Sequence, residues 1–289
     1  MTAFDEATAE EDHSAAVSDS LSGADRFLVS VWLDGEERHV PDAIASEVPV
    51  ALLFNGISHA VMMATPTDLE DFALGFGLTE GLLQTPAELY GVDVVPVAEG
   101  LEVQLEVSSA CAWRLRERRR NLAGRTGCGL CGTDSLAQVC QTLPRVHHSI
   151  RLQAEALLRA EHNLREAQQL QRLTGSTHAA AWCDVEGNVR LLREDVGRHN
   201  ALDKLIGAMI HAKIDPARGF VAITSRASFE MVQKTAMARV GALLAVSAPT
   251  SMAIKTARMH GIALAGLVRG RRMVAYSHPE RLGWKMTSD

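Results

Sequence analysis

The sequence predicts an α+β N-terminal domain followed by an α/β three-layer C-terminal domain, and three observations lead to this prediction. The chain has 289 residues, 47% of them hydrophobic, which is enough for two packed cores. Short strand patterns with turn dipeptides and one helix pattern fill residues 27–107. From residue 176 onward, strand and helix patterns alternate, as in layered α/β domains. We therefore predict a tail at residues 1–25, domains at 26–150 and 176–289, and a bridging helix at 151–175.

The first 25 residues differ in composition from the rest of the chain. They contain seven acidic residues and neither Lys nor Arg, so we expect a disordered tail. Removing these seven negative charges from the net charge of −6 leaves +1 for the remainder, which does not favour nucleic acid as a partner. No secretory signal or membrane-spanning apolar run is evident, and we expect a cytoplasmic protein that binds no membrane.

Turn signals organise the N-terminal domain. Asp34-Gly35 and Asn55-Gly56 each separate two apolar segments, which is typical of tight β-hairpins, and Glu99-Gly100 indicates a third. Between them, Thr67 or Asp68 can cap a helix that runs from about residue 69 to residue 80. The predicted strands cover residues 27–33, 48–54, 59–64, 92–97 and 101–107.

A different pattern begins after residue 150. Residues 151–173 carry leucines at helical spacing and precede Gly175, which indicates a helix that bridges the two domains. A hairpin across Glu186-Gly187 follows, and the alternation after it implies a largely parallel sheet. The predicted helices are 198–212, 229–240 and 251–260; the predicted strands are 178–184, 188–192, 219–224, 242–246, 262–268 and 274–277.

Two cysteines, Cys128 and Cys131, lie in the glycine-rich stretch 124–132. Glycine lets the backbone turn sharply and leaves little bulk around the sulfur atoms. Five arginines lie between residues 114 and 120, and Thr133 or Asp134 can cap a helix directly behind the pair. Positive charge and a helix N-terminus both favour the thiolate over the thiol. The pattern therefore predicts a reactive cysteine pair.

Spacing alone leaves three roles open for this pair: half of a zinc site, a redox dithiol or a sulfur carrier. Zinc requires four ligands, and Cys140 with His147 or His148 could supply the other two. The flanking glycines are not the strand-to-helix context of a thioredoxin-like dithiol. A sulfur carrier would hold sulfur on one thiolate as a persulfide. The remaining cysteines, Cys111, Cys140 and Cys183, are predicted to be buried apolar residues.

An anion-binding pocket is predicted at the carboxyl ends of three successive strands. Residues 224–228 and 247–251 each join a strand to a helix and offer hydroxyls and backbone N–H groups, which suit phosphate. Residues 268–272 follow the next strand and add three guanidinium groups. Each segment alone fits an ordinary cap or turn, but their occurrence at three neighbouring strand ends favours a phosphate-bearing ligand.

Residues 194–200 place several polar groups at the start of a predicted helix. Asp195 is predicted to cap this helix. His199 could be an acid/base group or a structural hydrogen-bond partner, and a single His is more often structural.

In combination and order, five segments of the chain resemble the FdhD family, the formate dehydrogenase accessory sulfurtransferases. They cover nearly everything after about residue 45 and leave the acidic tail outside. The segments are residues 54–81, 127–132, 174–180, 194–204, and 225–234 together with 276–281.

The resemblance implies a fold and an activity. The C-terminal domain would be similar to the cytidine deaminase fold, without the zinc-deaminase signatures, and the protein would be a homodimer. It would accept sulfur from a cysteine desulfurase and transfer it to the molybdenum or tungsten of a bis-guanine-dinucleotide pterin. This Mo-bis(molybdopterin guanine dinucleotide) would be a bound substrate, and no permanent metal is expected. The sulfurated cofactor would pass to the formate dehydrogenase catalytic subunit.

The resemblance also implies roles for particular residues. Cys128 matches the cysteine that carries the persulfide, and Cys131 would assist the transfer or relay sulfur. The cofactor-binding stretch matches Leu267, Val268, Arg269, Gly270, Arg271 and Arg272, and further phosphate contacts are expected from Ser225, Arg226, Ser228, Lys234 and Thr250.

Two other functions stay open at this point. One is a zinc-stabilised chaperone that binds the cofactor without transferring sulfur. The other is a nucleotide-binding oxidoreductase that uses the dithiol.

Overall fold

The structure, a computed structural model, describes residues 23–123, 143–147 and 150–284, and its strands form three β-sheets. The mixed α/β class predicted from the sequence is confirmed. The cysteine pair, Cys140, His148 and nearly all of the predicted acidic tail lie outside the described residues. The predicted domain boundaries stay a prediction.

The first sheet is an antiparallel hairpin of two strands, β1 (Ala24–Leu33) and β2 (Glu36–Ala45). Its turn lies at Asp34 and Gly35, whose φ angles are 52° and 91°. Both values are left-handed, which glycine adopts freely and aspartate more readily than most residues. The hairpin predicted from this dipeptide is confirmed.

The second sheet has four strands in the order β4-β3-β6-β5, and its two hairpins are joined by a parallel pairing of β3 with β6. Helix α1 covers one face, and its buried residues complete the core of this sheet. The predicted hairpins and helix are confirmed. The elements are β3 (Val48–Phe54), β4 (Ile57–Ala64), α1 (Leu69–Thr79), a 3-10 turn (Pro86–Glu88), β5 (Leu89–Val97), β6 (Gly100–Val107) and α2 (Ser109–Ala123).

The capping prediction for α1 is wrong. Asp68 occupies the N-cap position with a left-handed φ of 53°, but its side chain accepts no hydrogen bond from the helix. The carboxylate instead lies 3.3 Å from the Arg193 guanidinium. A contact with a distant strand therefore replaces the local cap, and sequence spacing does not reveal such a contact.

The predicted bridging helix is two helices, α3 (Ala154–Ala167) and α4 (Gln169–Thr174). The break falls at Gln168, whose ψ of 93° leaves the helical region. Leu157, Ala160 and Leu164 of α3 are buried against the third sheet. Helix α3 thus forms an outer layer of that sheet.

The third sheet has six strands in the order β12-β11-β10-β9-β7-β8. Only the β9–β10 and β10–β11 pairs are parallel, and the other three pairs are antiparallel, so the prediction of a largely parallel sheet is wrong. Short turns within β7–β8 and β11–β12 allow only antiparallel pairing. The elements are β7 (His178–Asp184), β8 (Val189–Asp195), α5 (Arg198–His211), β9 (Gly219–Ile223), α6 (Phe229–Met237), β10 (Ala242–Ala245), α7 (Ser251–His260), β11 (Ala263–Arg269) and β12 (Arg272–Ser277).

Helices cover both faces of this sheet, which gives the predicted three layers. One core lies under α5, α6 and α7, and a second lies under α3. Among the described residues, no helix combines the length and apolar character needed to cross a membrane.

Helices α1 and α5 connect the second and third sheets through backbone contact. A Cβ atom at Gly75 would lie 1.8 Å from the Asp203 carbonyl oxygen, and one at Gly207 would lie 1.9 Å from that of Asp71. No side chain fits at either position, so the two helices touch there.

Buried charges also lie along this contact. The Lys204 ammonium is 2.7 Å from the Asp195 carboxylate, and neither side chain is exposed to solvent. Lys204 also donates to the Thr65 carbonyl at 2.9 Å, and the Thr65 amide donates to Asp195 at 3.0 Å. A charge buried in this way is stable only with its partners, so the pair ties α5 to the segment that leads into α1.

Candidate functional site at the carboxyl edge of the six-stranded sheet

The three predicted anion-binding segments meet at one edge of the six-stranded sheet, because β9, β10 and β11 are adjacent and parallel. Ala227 and Pro249 form a backbone bridge, and the Thr250 amide donates to the Ala227 carbonyl at 3.0 Å. The Leu267 amide donates to the Ser247 carbonyl at 3.2 Å. We call this group of loops the carboxyl edge; it comprises residues 224–228, 247–251 and 267–272.

The hydroxyl groups at the carboxyl edge already take part in local hydrogen bonds. Ser225 donates to the Arg226 carbonyl at 3.1 Å, and Ser228 donates to the Glu230 carboxylate at 2.6 Å. The Thr250 hydroxyl accepts from the Ala253 amide at 3.2 Å and thereby caps α7. Arg226 is exposed. A ligand phosphate at these two loops would therefore rely on this guanidinium and on backbone N–H groups more than on the hydroxyls.

The turn between β11 and β12 presents exposed cations. The backbone is irregular there, with a register shift after Gly266 and a left-handed φ of 53° at Leu267. A leucine in that region costs about 1 kcal/mol, which the buried Val268 beside it helps to offset. Arg271 and Arg272 are exposed, and no ion pair holds either of them within the described residues.

Lys234 lies apart from these loops, in the contact between α6 and α1. Its ammonium donates to Glu80 at 2.7 Å, Asp203 at 2.9 Å and Thr79 at 3.0 Å. Burial alone would lower the pKa of Lys234, but the two carboxylates raise it above its usual value. Three acceptors already occupy its three donors, and a phosphate would have to displace one of them. This position gives Lys234 a structural role.

The start of α5 lies at the same edge and carries Arg198 and His199. The Nε atom of Arg198 and the Nε2 atom of His199 are buried and have no hydrogen-bond partner within the described residues. Burial and then the Arg198 charge lower the pKa of His199 and also that of His178 at the start of β7. Both imidazoles are therefore neutral near pH 7.

The polar density of residues 194–200 was visible in the sequence, but the separate roles of its members were not. Asp195 does not cap α5 as predicted. It accepts from the Gly197 amide at 2.7 Å and pairs with the buried Lys204, because it lies at the end of β8 and faces the other sheet.

The cysteines divide into two groups. Cys111 and Cys183 are free and buried, as predicted. Burial raises the pKa of both thiols, to about 12 for Cys183. Cys128 and Cys131 lie outside the described residues, as does Cys140. Within the described part of the chain, no group of three or more His, Cys, Asp or Glu side chains is placed to hold a metal ion.

The chain re-enters the described structure, after the cysteine stretch, at the amino edge of the six-stranded sheet. Leu143 and Pro144 line an apolar cavity of about 520 Å³ beside the last turns of α5 and α6. The Val146 amide donates to the carbonyl of His260, the last residue of α7, at 2.9 Å. The anchor of the cysteine stretch and the carboxyl edge are therefore about one strand length apart.

The fold and these loops define a mixed α/β protein whose six-stranded sheet carries serines and arginines at its carboxyl edge. The sequence model of the FdhD/NarQ family matches residues 45–283, and the chain therefore belongs to this family.

Relatives and one solved structure agree with this assignment. The chain is 56% identical to the sulfur carrier protein FdhD of Bordetella petrii over 241 residues, 83% of this chain and 87% of that protein. It is 51% identical to the sulfur carrier protein FdhD of Cupriavidus necator over 273 residues, 94% of this chain and 95% of the relative. The crystal structure of a formate dehydrogenase accessory protein from Desulfotalea psychrophila has the same fold, with a TM-score of 0.70 and 20% identity, covering 90% of this chain and 99% of that one.

Proposed function

We propose that the protein is a cytoplasmic sulfurtransferase that serves formate dehydrogenase maturation. It would take sulfur from a cysteine desulfurase onto Cys128 and pass it to the metal of a bis-guanine-dinucleotide molybdenum or tungsten cofactor. The cofactor is its substrate, and the formate dehydrogenase catalytic subunit receives the product. Family membership and the relatives that are named sulfur carriers support the coarse role. A homodimer and a likeness of the six-stranded unit to the cytidine deaminase fold belong to the same proposal.

One observation supports the cysteine pair as the carrier. Sulfur exchange needs a thiolate at neutral pH, and burial suppresses the thiolates of Cys111 and Cys183. Of the five cysteines in the chain, only Cys128, Cys131 and Cys140 are left as candidates. The first two form the pair that has glycine neighbours and arginines upstream.

The proposed sulfur transfer balances with two thiolates. The Cys128 thiolate attacks the outer sulfur of the donor persulfide, the donor S–S bond breaks, and the donor cysteine leaves as a thiolate. Cys128 then carries one extra sulfur. The Cys131 thiolate attacks the inner sulfur of this persulfide, and sulfide leaves toward the metal of the substrate. The two cysteines are oxidised to a Cys128–Cys131 disulfide, and the two electrons that they lose reduce the transferred sulfur to sulfide; a dithiol reductant then restores the pair.

The carboxyl edge is the proposed binding site for the cofactor's phosphates. Arg226, Arg271 and Arg272 are exposed there, and guanidinium groups bind phosphate bidentately. Ser225, Ser228 and Thr250 shape the loops between them, and the amides that begin α6 and α7 point to the same edge. Residues 267–272 complete the site in this proposal.

Mass spectrometry of the intact protein and its peptides tests the proposal. After incubation with a cysteine desulfurase and cysteine, we expect one extra sulfur on the Cys128 peptide, lost on reduction. Cys128→Ala should show none, and Cys131→Ala should carry at least as much extra sulfur as the wild type, because the thiolate that would release the sulfur is missing. Cys183→Ala is the matched control and should load like the wild type.

Other outcomes point to other functions. Stoichiometric zinc in the purified protein and no added sulfur would indicate a cofactor chaperone with a structural cysteine pair. Disulfide turnover with a reductant and no added sulfur would indicate an oxidoreductase. Either result would overturn sulfur transfer.

A further inference from the structure

In residues 194–204, some polar side chains are held by contacts within the fold, and others have no structural role in it. Seven of these residues carry polar side chains, and five are held by contacts that stabilise the fold. Glu194 accepts from the amides of Leu170 and Gln171 at 2.9 and 2.8 Å. Asn200 donates to the Met63 carbonyl at 2.8 Å. Of the other three, Asp195 pairs with Lys204, and Asp203 pairs with Lys234.

Arg198 and His199 are the two that remain. Their Nε and Nε2 atoms are buried, and neither has a hydrogen-bond partner within the described residues. The Arg198 Nε atom always carries a proton, and a neutral imidazole carries one on either of its two nitrogens. A buried polar nitrogen without a partner costs free energy, and native structures rarely leave one so. Two such nitrogen atoms on neighbouring residues indicate that a hydrogen-bonding group from outside the described chain binds there.

The surroundings favour an anionic acceptor. Burial, and then the permanent charge of Arg198, lower the pKa of His178 and His199, so both imidazoles are neutral. Three carboxylates act on the imidazoles of this cluster, and two of them, Asp195 and Glu80, are paired with buried lysines. The third, Glu230, accepts from Ser228 at 2.6 Å and lies 3.9 Å from His199 Nε2. That distance is too long for a hydrogen bond, so Glu230 does not satisfy the imidazole.

The position of the cluster connects it with the carboxyl edge. His178 precedes Ala179, whose amide donates to the Thr224 hydroxyl at the end of β9 at 3.0 Å. The arginines of the β11–β12 turn lie on the other side, two strand spacings from β9, which is about 10 Å. A long ligand with several phosphates could contact both places.

We infer that Arg198 and His199 bind a phosphate group of the cofactor, as a second anchoring point beside the arginines of the β11–β12 turn. The inference rests on the proposed function for the identity of the ligand. The guanidinium donates from Nε, and the neutral imidazole adds a donor without a second full charge. The phosphate could belong to a nucleotide or be free, so the test uses guanosine 5′-diphosphate and inorganic pyrophosphate separately.

The first experiment follows the arginine Nε–H signals of the full chain by ¹H–¹⁵N NMR during titration with each anion. Arg198→Met assigns the Arg198 signal. We expect that signal to shift to saturation with both anions if the site takes phosphate, and with the diphosphate nucleotide alone if it requires a nucleotide. A titration in which only the signals of Arg271 and Arg272 move would overturn the inference.

Affinity and stability measurements on variants form the second experiment. Arg198→Met should weaken calorimetric binding of the anion that shifts its signal by about tenfold or more, since a charge-assisted hydrogen bond is lost. Arg218→Met, an exposed arginine at the opposite edge, is the matched control and should change binding less than twofold. His199→Leu and Arg198→Met remove no partner, so their Tm should stay or rise. Unchanged binding with a lower Tm would show a structural role and overturn the inference.

These binding and stability measurements do not depend on sulfur transfer. Absence of persulfide on Cys128 would overturn the sulfur-transfer proposal and leave the anion site standing. Persulfide loading without any response at Arg198 would overturn the anion site alone.

Discussion

At the scale of residues, the sequence predicted the chemistry of several side chains but not their partners. Cys111 and Cys183 are buried as predicted, because cysteine in an apolar pattern is usually a core residue. Lys234 looked like a phosphate ligand in a polar segment, and its contacts with Glu80 and Asp203 show a structural role. Those partners come from different parts of the chain, and no local pattern connects them.

The buried pair of Lys204 and Asp195 gives a prediction at this scale. Lys204→Met should lower the free energy of unfolding by about 3–5 kcal/mol, because it leaves the Asp195 carboxylate buried and unpaired. Adding Asp195→Asn removes that charge and should recover part of the loss. Urea unfolding of the two variants measures both effects, and a double variant no more stable than Lys204→Met would contradict the explanation.

Glu88 gives a prediction of pH dependence. A hydrogen bond from Arg114 at 2.6 Å is the main cause that lowers the pKa of Glu88 below its usual value of 4.5. Its ionised form therefore stabilises the fold above pH 4.5, and this stability is lost as the pH falls through the lower folded-state pKa. Glu88→Gln should cost about 1 kcal/mol at pH 7 and progressively less in acid.

Urea unfolding at several pH values measures this difference. Glu36→Gln is the control, since Glu36 pairs with Arg38 in full solvent and should contribute nothing measurable. A constant difference between wild type and Glu88→Gln from pH 7 to pH 3 would refute the assignment.

At the scale of elements, the turn dipeptides carried most of the predictive information. Asp34-Gly35, Asn55-Gly56 and Glu99-Gly100 each mark a hairpin that the structure contains, because few residues adopt positive φ without strain. The break at Gln168 was missed, since leucine spacing continues through it. The antiparallel pairing of β7 with β9 was missed as well, because strand patterns carry no information about direction.

Contact between α1 and α5 gives a prediction at this scale. Gly75→Ala should destabilise the protein by about 3 kcal/mol or more, because the added Cβ would overlap the Asp203 carbonyl and push two helices apart. Gly91→Ala on β5 is the control, since its Cβ would meet nothing closer than 3.7 Å. Thermal unfolding of both variants measures the difference, and equal Tm values would show that the helices can separate at little cost.

At the scale of the whole molecule, the sequence predicted an α+β unit and an α/β unit but not how they meet. The second and third sheets share a boundary of touching helices, hydrogen bonds and an ion pair between residues more than 120 positions apart. Only the folded chain brings such residues together. The carboxyl edge was predictable because its three segments follow consecutive parallel strands. Arg198 and His199 follow β8, and they lie at this edge because β8 and β9 both pair antiparallel with β7, which the sequence does not reveal.

This boundary predicts cooperative unfolding of the described structure. Trp113 lies on α2 beside the second sheet, and Trp182 lies in the core of the third. Single-tryptophan variants that keep one or the other should report the same unfolding midpoint in urea, since neither unit can lose the shared boundary alone. Two separated midpoints would show that the units fold independently.

Because Cys111 and Cys183 are buried, chemical labelling of these two cysteines shows whether the chain is folded. A maleimide dye reacts with thiolates, so in the folded protein it labels Cys111 and Cys183 only slowly. Unfolding exposes the thiols of Cys111 and Cys183, and the two dye molecules that they take up raise the labelled mass. Counting dyes on an intact chain thus separates damage to the cysteine stretch from damage to the fold, in one spectrum and without an activity assay.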